Sequence, residues 1–212
     1  PAPLGAGTAP PEWNLAMLGA PQLWQQGFTG QGIVLANLDT GVDLQHQDIG
    51  AKWRGGSNSW YDPSGEHASP FDNNGHGTQT MGLILGGDYG GTAIGVAPGA
   101  QWIAAKIFDD SGTSSYSTIH LAFQWLLDPD GDPDVDDAPD VVSNAWGLVD
   151  AVGLCEPEFQ DDIATLRAAG IAVAVSAGNA GPAASTSLSP ANYALTLAVG
   201  AADAFSNVAN FS

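Results

Sequence analysis

The chain has 212 residues, and its 23 acidic and 4 basic side chains give a formal net charge of −19 at pH 7. This length allows one domain with its own core, and an apolar content of 44% is typical of a globular chain. The negative charge argues against a nucleic-acid partner, because phosphates are bound by Lys and Arg, and it favours cation binding.

The composition also argues against a membrane-spanning protein and against a protein stabilised by internal disulfides. The sequence has no run of about 18 apolar residues, so we expect no membrane-spanning helix. It has one cysteine, Cys155, so no disulfide can form within it. Its first residues lack the basic and apolar regions of a signal peptide, and we expect that any such leader has already been removed.

The predicted elements alternate along the chain. Residues 1–12 are rich in Pro, Gly and Ala and predict an extended N-terminal arm, and residues 50–75 predict a long irregular loop. Short apolar runs predict buried strands at 33–38, 102–108, 141–145, 171–176 and 195–199. Helical spacing predicts helices at 13–24, 76–86, 116–127 and 158–169. This order predicts one α/β domain over residues 1–212, a three-layer, mostly parallel β-sheet flanked by helices.

Such a sheet binds ligands at the carboxyl ends of its strands. Asp39 ends the first predicted strand, Ala145-Trp146-Gly147 follows the third, and Gly178-Asn179 follows the fourth. We therefore expect these residues on one edge of the sheet, beside the loops that carry His76 and Gly112.

His76 lies between two glycines in Asn74-Gly75-His76-Gly77-Thr78, where its ring would be accessible to a substrate. Histidine is the side chain best suited to act as a general base near neutral pH, and Asp39 can accept its Nδ1 proton. Asn179, in a glycine turn, can donate to an oxyanion, an interaction worth about 2.7–4 kcal/mol. Each residue alone has an ordinary structural explanation, but their convergence favours catalysis.

Four motifs, in matching order and spacing, resemble those of the subtilisin-like serine proteases from about Trp24 to Ser212. They are Leu38-Asp39-Thr40-Gly41-Val42-Asp43, Asn74-Gly75-His76-Gly77-Thr78, Ser143-Asn144-Ala145-Trp146-Gly147 and Ala177-Gly178-Asn179. The inserted loop at 128–140 and the segment at 138–142 look most like the bacillopeptidase F group.

The resemblance implies a secreted serine endopeptidase that acts on polypeptides without an organic cofactor. It implies that Asp39 orients His76, that His76 is the general base and that Asn179 is the oxyanion donor, in the Asp–His–Ser order of subtilisin itself. It also implies that substrate binds along the backbone of three segments, which comprise Gly112, Thr113 and Ser114, then Ala145, Trp146 and Gly147, then Ala177 and Gly178.

The family's nucleophile motif, Gly-Thr-Ser-Met-Ala, does not occur among these residues. We expect the serine on a downstream segment, continuous with this chain or present as a separate C-terminal fragment, and we expect residues 1–212 alone to be inactive. Ser114, in Gly112-Thr113-Ser114-Ser115, is a weak alternative, because it precedes the third strand and is followed by Ser115-Tyr116 instead of Met-Ala.

Two other functions remain open on the sequence. A scaffold without its serine could bind an extended peptide and not cleave it. An aspartic protease could use Asp39-Thr40-Gly41 and the segment at Asp110 as its two halves, with one proton shared between Asp39 and Asp110. That fold is almost wholly β, whereas this chain alternates strand and helix.

The acidic run at 128–137 suits calcium, because carboxylates alternate there with Gly and Pro around a turn. The predicted ligands are Asp128, Asp130, Asp132 and Asp134. Asp48 occupies the position of a calcium ligand in many subtilases, although Tyr89 stands where a second side-chain oxygen is usual. The alternative for the acidic run is a solvated loop without an ion.

Overall fold

The computed structural model of the chain describes residues 9–212. Six parallel strands form one sheet in the order β2-β3-β1-β4-β5-β6. The strands are β1 (Val34–Asp39), β2 (Trp60–Tyr61), β3 (Gln101–Lys106), β4 (Val141–Asn144), β5 (Ala172–Ser176) and β6 (Leu197–Val199). The α/β class and the mostly parallel sheet are confirmed.

The helices are α1 (Trp13–Leu18), α2 (Ala20–Gln25), α3 (His76–Leu85), α4 (Tyr116–Trp125) and α5 (Gln160–Ala168). The helix predicted over 13–24 is divided at Gly19, whose φ of 76° ends α1, and Pro21 lies in the first turn of α2. No described helix combines the length and the apolar character that crossing a membrane requires.

Helices cover both faces of the sheet, which confirms the three layers. On one face, Ile119 and Phe123 of α4 and Ile163 of α5 pack against even-numbered residues of β1, such as Leu38. On the other face, Met81 of α3 packs with Leu35 and Trp102 of the sheet. Side chains of β1 are therefore buried on both faces of the sheet. Because successive side chains of a strand point to opposite faces, the odd-numbered residues of β1 face α3.

One prediction of irregular structure needs correction, that of the loop over 50–75, and the N-terminal arm stays a prediction. The loop predicted over 50–75 contains β2, where Trp60 pairs with Ala104 of β3 and buries its ring. Residues 1–8 of the predicted N-terminal arm lie outside the described residues, but Pro11 forms a parallel bridge with Ala93. Local periodicity could show neither pairing, because each involves only one or two residues.

The chain places β1 in the middle of the sheet. From β1 it proceeds to β2 and β3 on one side, and it then returns to β4 on the other side. The carboxyl end of β1 therefore lies where the winding direction reverses, which is where sheets of this class bind ligands.

Candidate active site

Asp39 is the last residue of β1, and its side chain is on the α3 face of the sheet. The strand period of two puts it on the same face as Leu35, which packs on α3, and Asn37. The Asn37 amide donates to the carbonyl of Gly77 at 3.1 Å and to the hydroxyl of Thr80 at 3.0 Å. These bonds attach the first turns of α3 to the strand that carries Asp39.

His76 begins α3, and its ring meets Asp39. Nδ1 of His76 donates to Oδ1 of Asp39 at 2.7 Å. The Asp39 side chain is 1% exposed, whereas that of His76 is 48% exposed. Within residues 9–212, Nε2 of His76 forms no hydrogen bond, so this nitrogen is accessible to a molecule approaching from solvent.

The N-terminus of α3 is held by the carboxylate of Asp72. Its Oδ1 accepts from the backbone N–H groups of Asn74 and Gly75 at 3.1 and 2.8 Å. Its Oδ2 accepts from the backbone N–H and the hydroxyl of Thr78 at 2.9 and 2.6 Å. Asp72 therefore satisfies donors that a helix start would otherwise leave unpaired, and this fixes the position of His76.

Gly77 allows α3 to approach the end of β1. A Cβ atom at this position would lie 2.1 Å from the carbonyl oxygen of Gly41 and 3.1 Å from Cβ of Asp39. The N–H of Gly77 donates to the hydroxyl of Thr40 at 2.9 Å. A larger residue at 77 would therefore move His76 away from Asp39.

Burial acts on both carboxylates at this site. It raises the pKa of Asp39 above its ordinary value, and the hydrogen bond from His76 opposes that effect only in part. Burial also acts to raise the pKa of Asp72, but the bonds from Thr78 and Gly75 outweigh it and leave that pKa below its ordinary value. The folded protein therefore stabilises the charged form of Asp72, whereas keeping Asp39 ionised costs free energy of folding.

Lys106, the last residue of β3, is a buried cation close to this pair. Its side chain is 0% exposed, and Nζ donates to the carbonyl of Thr40 at 2.9 Å and to Oδ1 of Asn73 at 3.3 Å. It also forms an ion pair with Asp110 at 3.3 Å. Lys106 thus joins the ends of two strands to the loop that precedes α3.

Asp110 does not share a proton with Asp39. Its carboxylate is bonded to Nε2 of His67 at 3.0 Å, and that bond lowers the pKa of Asp110. The Asp39 carboxylate is bonded to His76 instead. Because the two carboxylates have separate partners and the sheet is parallel with helices on both faces, the aspartic-protease alternative is wrong.

Asn179 follows the end of β5 by three residues and is exposed. It lines a cleft at the carboxyl edge of the sheet together with Ala145 and Gly178. Since β4 separates β5 from β1 and neighbouring strands are about 4.8 Å apart, Asn179 follows a strand roughly 10 Å from the one that ends at Asp39. The structure thus places Asn179 on the same edge as Asp39 and His76, as expected.

Two of the predicted substrate segments are held together by Leu188. A Cβ atom on Gly147 would lie 2.9 Å from the Leu188 side chain, and one on Gly178 would lie 2.7 Å from it. The N–H of Leu188 also donates to the carbonyl of Ala177 at 3.0 Å. The segments 145–147 and 177–178 therefore form one continuous wall.

The third segment, 112–114, lies in the loop between β3 and α4. The N–H of Asp109 donates to the carbonyl of Thr113 at 2.9 Å, which closes this loop, and Ser115 caps α4. The hydroxyl of Ser114 is buried without a hydrogen-bond partner among the described residues. It is not bonded to His76, so the structure gives no support to Ser114 as the nucleophile.

Sequence reasoning missed three polar residues that support the pair. Asn37 and Lys106 lie inside predicted apolar strands, and Asp72 lies in a predicted loop. A polar residue within a buried strand is itself a signal, because it must find a partner in the core. Asp72 could have been found from its place before Gly75 and His76, where a carboxylate can cap a helix.

The structure brings together two of the four aspartates predicted as calcium ligands in the acidic loop. Asp128 and Asp130 form a group with Asp137, and their carboxylate oxygens lie within 4.8 Å of one another. Asp132 and Asp134 are not part of this group. The participation of Asp137, seven residues after Asp130, depends on how the loop folds back and was not predicted.

Asp48 lies against the loop after α3. Its Oδ1 accepts from the N–H of Tyr89 at 2.8 Å, and no group of three candidate metal ligands in residues 9–212 includes it. Lys52 lies close by, with its Nζ donating to the carbonyl of Leu85. Burial lowers the pKa of Lys52 to about 8, although the negative charge of Asp48 acts in the opposite direction. Calcium binding at Asp48 stays a prediction.

Comparison with known proteins identifies relatives. The sequence profile of the Subtilase family matches residues 30–212. Bacillopeptidase F of Bacillus subtilis is 39% identical over 221 residues, covering 95% of this chain and 15% of that protein. Subtilisin E of Bacillus subtilis is 32% identical over 203 residues, covering 94% of this chain and 49% of that protein. Subtilisin of Bacillus pumilus is also 32% identical, with 67% of that protein covered.

Proposed function

We propose, from the premise that this chain belongs to the subtilase family, that its protein is a serine endopeptidase with an Asp–His–Ser mechanism. The family consists of serine proteases, and the chain spans 49% of subtilisin E and 15% of bacillopeptidase F. The observation that carries the proposal is the 2.7 Å bond between His76 and Asp39, which leaves Nε2 of the same ring accessible.

In this mechanism His76 takes the proton of the attacking serine through Nε2, and it later gives that proton to the leaving amine. Asp39 accepts from Nδ1, which fixes the tautomer and stabilises the imidazolium that forms. Asn179 donates its amide to the oxyanion of the tetrahedral intermediate. Each role matches the position of the residue at the carboxyl edge of the sheet.

The nucleophile in this proposal is a serine on a segment that follows residue 212, either continuous with the chain or present as a separate fragment. The greater length of the relatives supports this. So does the last strand, because Leu197 and Val199 of β6 and the later Phe205 are exposed apolar side chains. An apolar strand at the edge of a sheet is a surface that further polypeptide commonly covers. Residues 1–212 alone would then be inactive.

The proposed substrate is an extended polypeptide that pairs its backbone with segments 112–114 and 145–147. Export from the cell belongs to the same proposal and is tested by the distribution of the protein between culture medium and cells. The proposal includes no nucleic acid and no membrane as partner, which agrees with the net charge of −19.

The experiment is fluorophosphonate labelling of the full-length protein, with peptide mapping of the labelled residue. We expect label on one serine outside residues 1–212. We expect His76→Ala to abolish labelling and to lower kcat by about 10⁶-fold, the size of loss known for subtilisin. His46→Ala is the matched control and should retain activity. Labelling of Ser114, or full activity of His76→Ala, would contradict the mechanism.

A peptide-binding scaffold without catalysis makes a different prediction in the same experiment. The folded full-length protein would then bind an inhibitor peptide along the segments 112–114 and 145–147, but it would neither react with fluorophosphonate nor cleave the peptide.

A further inference from the structure

Three carboxylates converge in the loop between α4 and β4, among residues that have no part in the proposed mechanism. Asp128 and Asp130 lie just after α4, and Asp137 lies just before β4. One oxygen from each lies within 4.8 Å of the others. Three negative charges at this spacing repel one another, and a cation bound between them would offset that repulsion.

A second observation concerns the hydrogen bonds of these groups. Asp137 is 9% exposed. Its Oδ1, and Oδ1 of Asp128, are buried without a hydrogen-bond partner among the described residues. A buried carboxylate oxygen with no donor is costly, so these atoms require a positively charged or hydrogen-bonding partner.

The nearby cation, Arg54, is bonded to other groups. Its guanidinium donates to the carbonyl of Asp137 at 2.6 Å, to the hydroxyl of Ser59 at 2.9 Å and to the carbonyl of Asn58. No ion pair within residues 9–212 involves the carboxylate of Asp128, Asp130 or Asp137. The amide of Asn58 donates to Oδ2 of Asp137 at 2.8 Å, which fixes that carboxylate and leaves its Oδ1 unpaired.

We propose that Asp128, Asp130 and Asp137 bind a calcium ion. The donor set consists of hard carboxylate oxygens, with no histidine or cysteine to favour zinc or copper. Two oxygens on opposite sides of one calcium ion lie at most about 5 Å apart, so the observed spacing fits one ion of that size. Water and backbone carbonyls supply the remaining ligands.

The ion has a defined structural consequence. It joins the end of α4 to the start of β4, and through Asn58 and Arg54 it joins both to the loop before β2. The site therefore stabilises an inserted loop, and the inference does not depend on the proposed protease mechanism.

The test is calcium titration of the full-length protein after chelator treatment, followed by calorimetry and by terbium luminescence. The His76→Ala background prevents self-digestion if the proposed mechanism holds and changes nothing at this loop. Trp125, whose indole N–H donates to the carbonyl of Pro129 at 3.2 Å, lies close enough to sensitise terbium bound there.

The matched variants lie in the same loop. We expect Asp137→Asn and Asp130→Asn each to weaken calcium binding by at least about 10-fold and to remove the rise in Tm that calcium produces. Asp132→Asn and Asp134→Asn remove equal charge outside the cluster and should change affinity less than about twofold, because they perturb only the general field. Asp130 is exposed, so its variant is informative even if Asp137→Asn fails to fold.

Three results would overturn the proposal. The first is a protein that shows no calcium binding at all. The second is equal weakening by all four variants, which would mean diffuse attraction to the acidic loop. The third is binding that Asp48→Asn abolishes while Asp137→Asn and Asp130→Asn leave it unchanged, because the ion would then lie at the other candidate position.

Discussion

In the proposed mechanism, Asp39 serves catalysis at the expense of stability. Its carboxylate is almost fully buried, and burial raises its pKa in spite of the hydrogen bond from His76. A raised carboxyl pKa means that the folded state disfavours the anion, so the protein loses stability as pH rises through that pKa. The same anion is what stabilises an imidazolium in the proposed mechanism.

Asp39→Asn should therefore change activity and stability in opposite directions. We expect kcat to fall by about 10⁴-fold, the loss known for this change in the equivalent triad of a serine protease with another fold, because the amide cannot hold the correct tautomer. We expect Tm at pH 7 to rise, because the buried charge is gone, and the gain to shrink as pH is lowered through the pKa of Asp39. Thermal scans across pH check this, and a lower Tm at pH 7 would contradict it.

The variant Asn179→Ala tests the proposed oxyanion role of this side chain. The side chain is exposed, so its removal should leave Tm unchanged, while kcat falls by about 10²–10³-fold, the loss known for subtilisin itself. We expect little change in KM, because this hydrogen bond forms in the transition state and not in the substrate complex. Asn192→Ala is the contrasting control, because its amide donates to the carbonyls of Leu154 and Ser187 at 3.0 and 3.3 Å. It should lower Tm and retain kcat. Equal kinetic effects in both variants would contradict an oxyanion role for Asn179.

Helices α4 and α5 are joined by His120, which lies between two carboxylates. Its Nδ1 bonds to Asp162 at 2.8 Å and its Nε2 to Glu158 at 3.0 Å, and its ring packs on Phe159. The bond to Glu158 is the largest influence and raises the pKa of His120 above its ordinary value, although burial opposes it. The protonated ring therefore bridges α4 to α5 and the residues just before it.

His120→Gln should remove a pH-dependent part of the stability. A histidine with a raised folded pKa contributes fully below its unfolded value of about 6.5, and the contribution disappears as pH rises through the folded value. We expect the variant to melt about 1–3 °C lower than the parent near pH 5.5, since solvent screens this partly exposed group. The difference should approach zero near pH 9. A difference independent of pH would indicate lost packing instead.

At the level of elements, most of the helices and strands could be predicted from the spacing of apolar residues. That spacing is two residues in a strand and 3.6 in a helix, and both can be read from a short stretch of sequence. The strand β2 could not, because two residues show no period and its pairing depends on β3. The pair of Asp39 and His76 followed from the rule for carboxyl strand ends. Asp137 could not be found in the same way, because its place beside Asp128 depends on contacts with a distant loop.

The whole molecule carries a net charge of −19, and its acidic side chains repel one another in the folded state more than in the expanded chain. We expect Tm to rise by several degrees as sodium chloride increases from about 0.02 to 0.5 M, because the Debye length falls below about 5 Å. Sodium chloride is the chosen salt because it adds no divalent ion to the proposed site at Asp128, Asp130 and Asp137. A constant or falling Tm over this range would contradict net repulsion.

The few basic residues have a consequence for digestion by other proteases. Lys52, Arg54 and Lys106 each hold their cationic groups against backbone carbonyls in partly or fully buried positions. Arg167, at the end of α5, is the exposed one among the four Lys and Arg residues. A trypsin-like enzyme requires a free basic side chain for its specificity pocket, and within residues 9–212 Arg167 alone offers an exposed one, in the last turn of α5. The scarcity of Lys and Arg thus limits cleavage of these residues by enzymes of trypsin-like specificity.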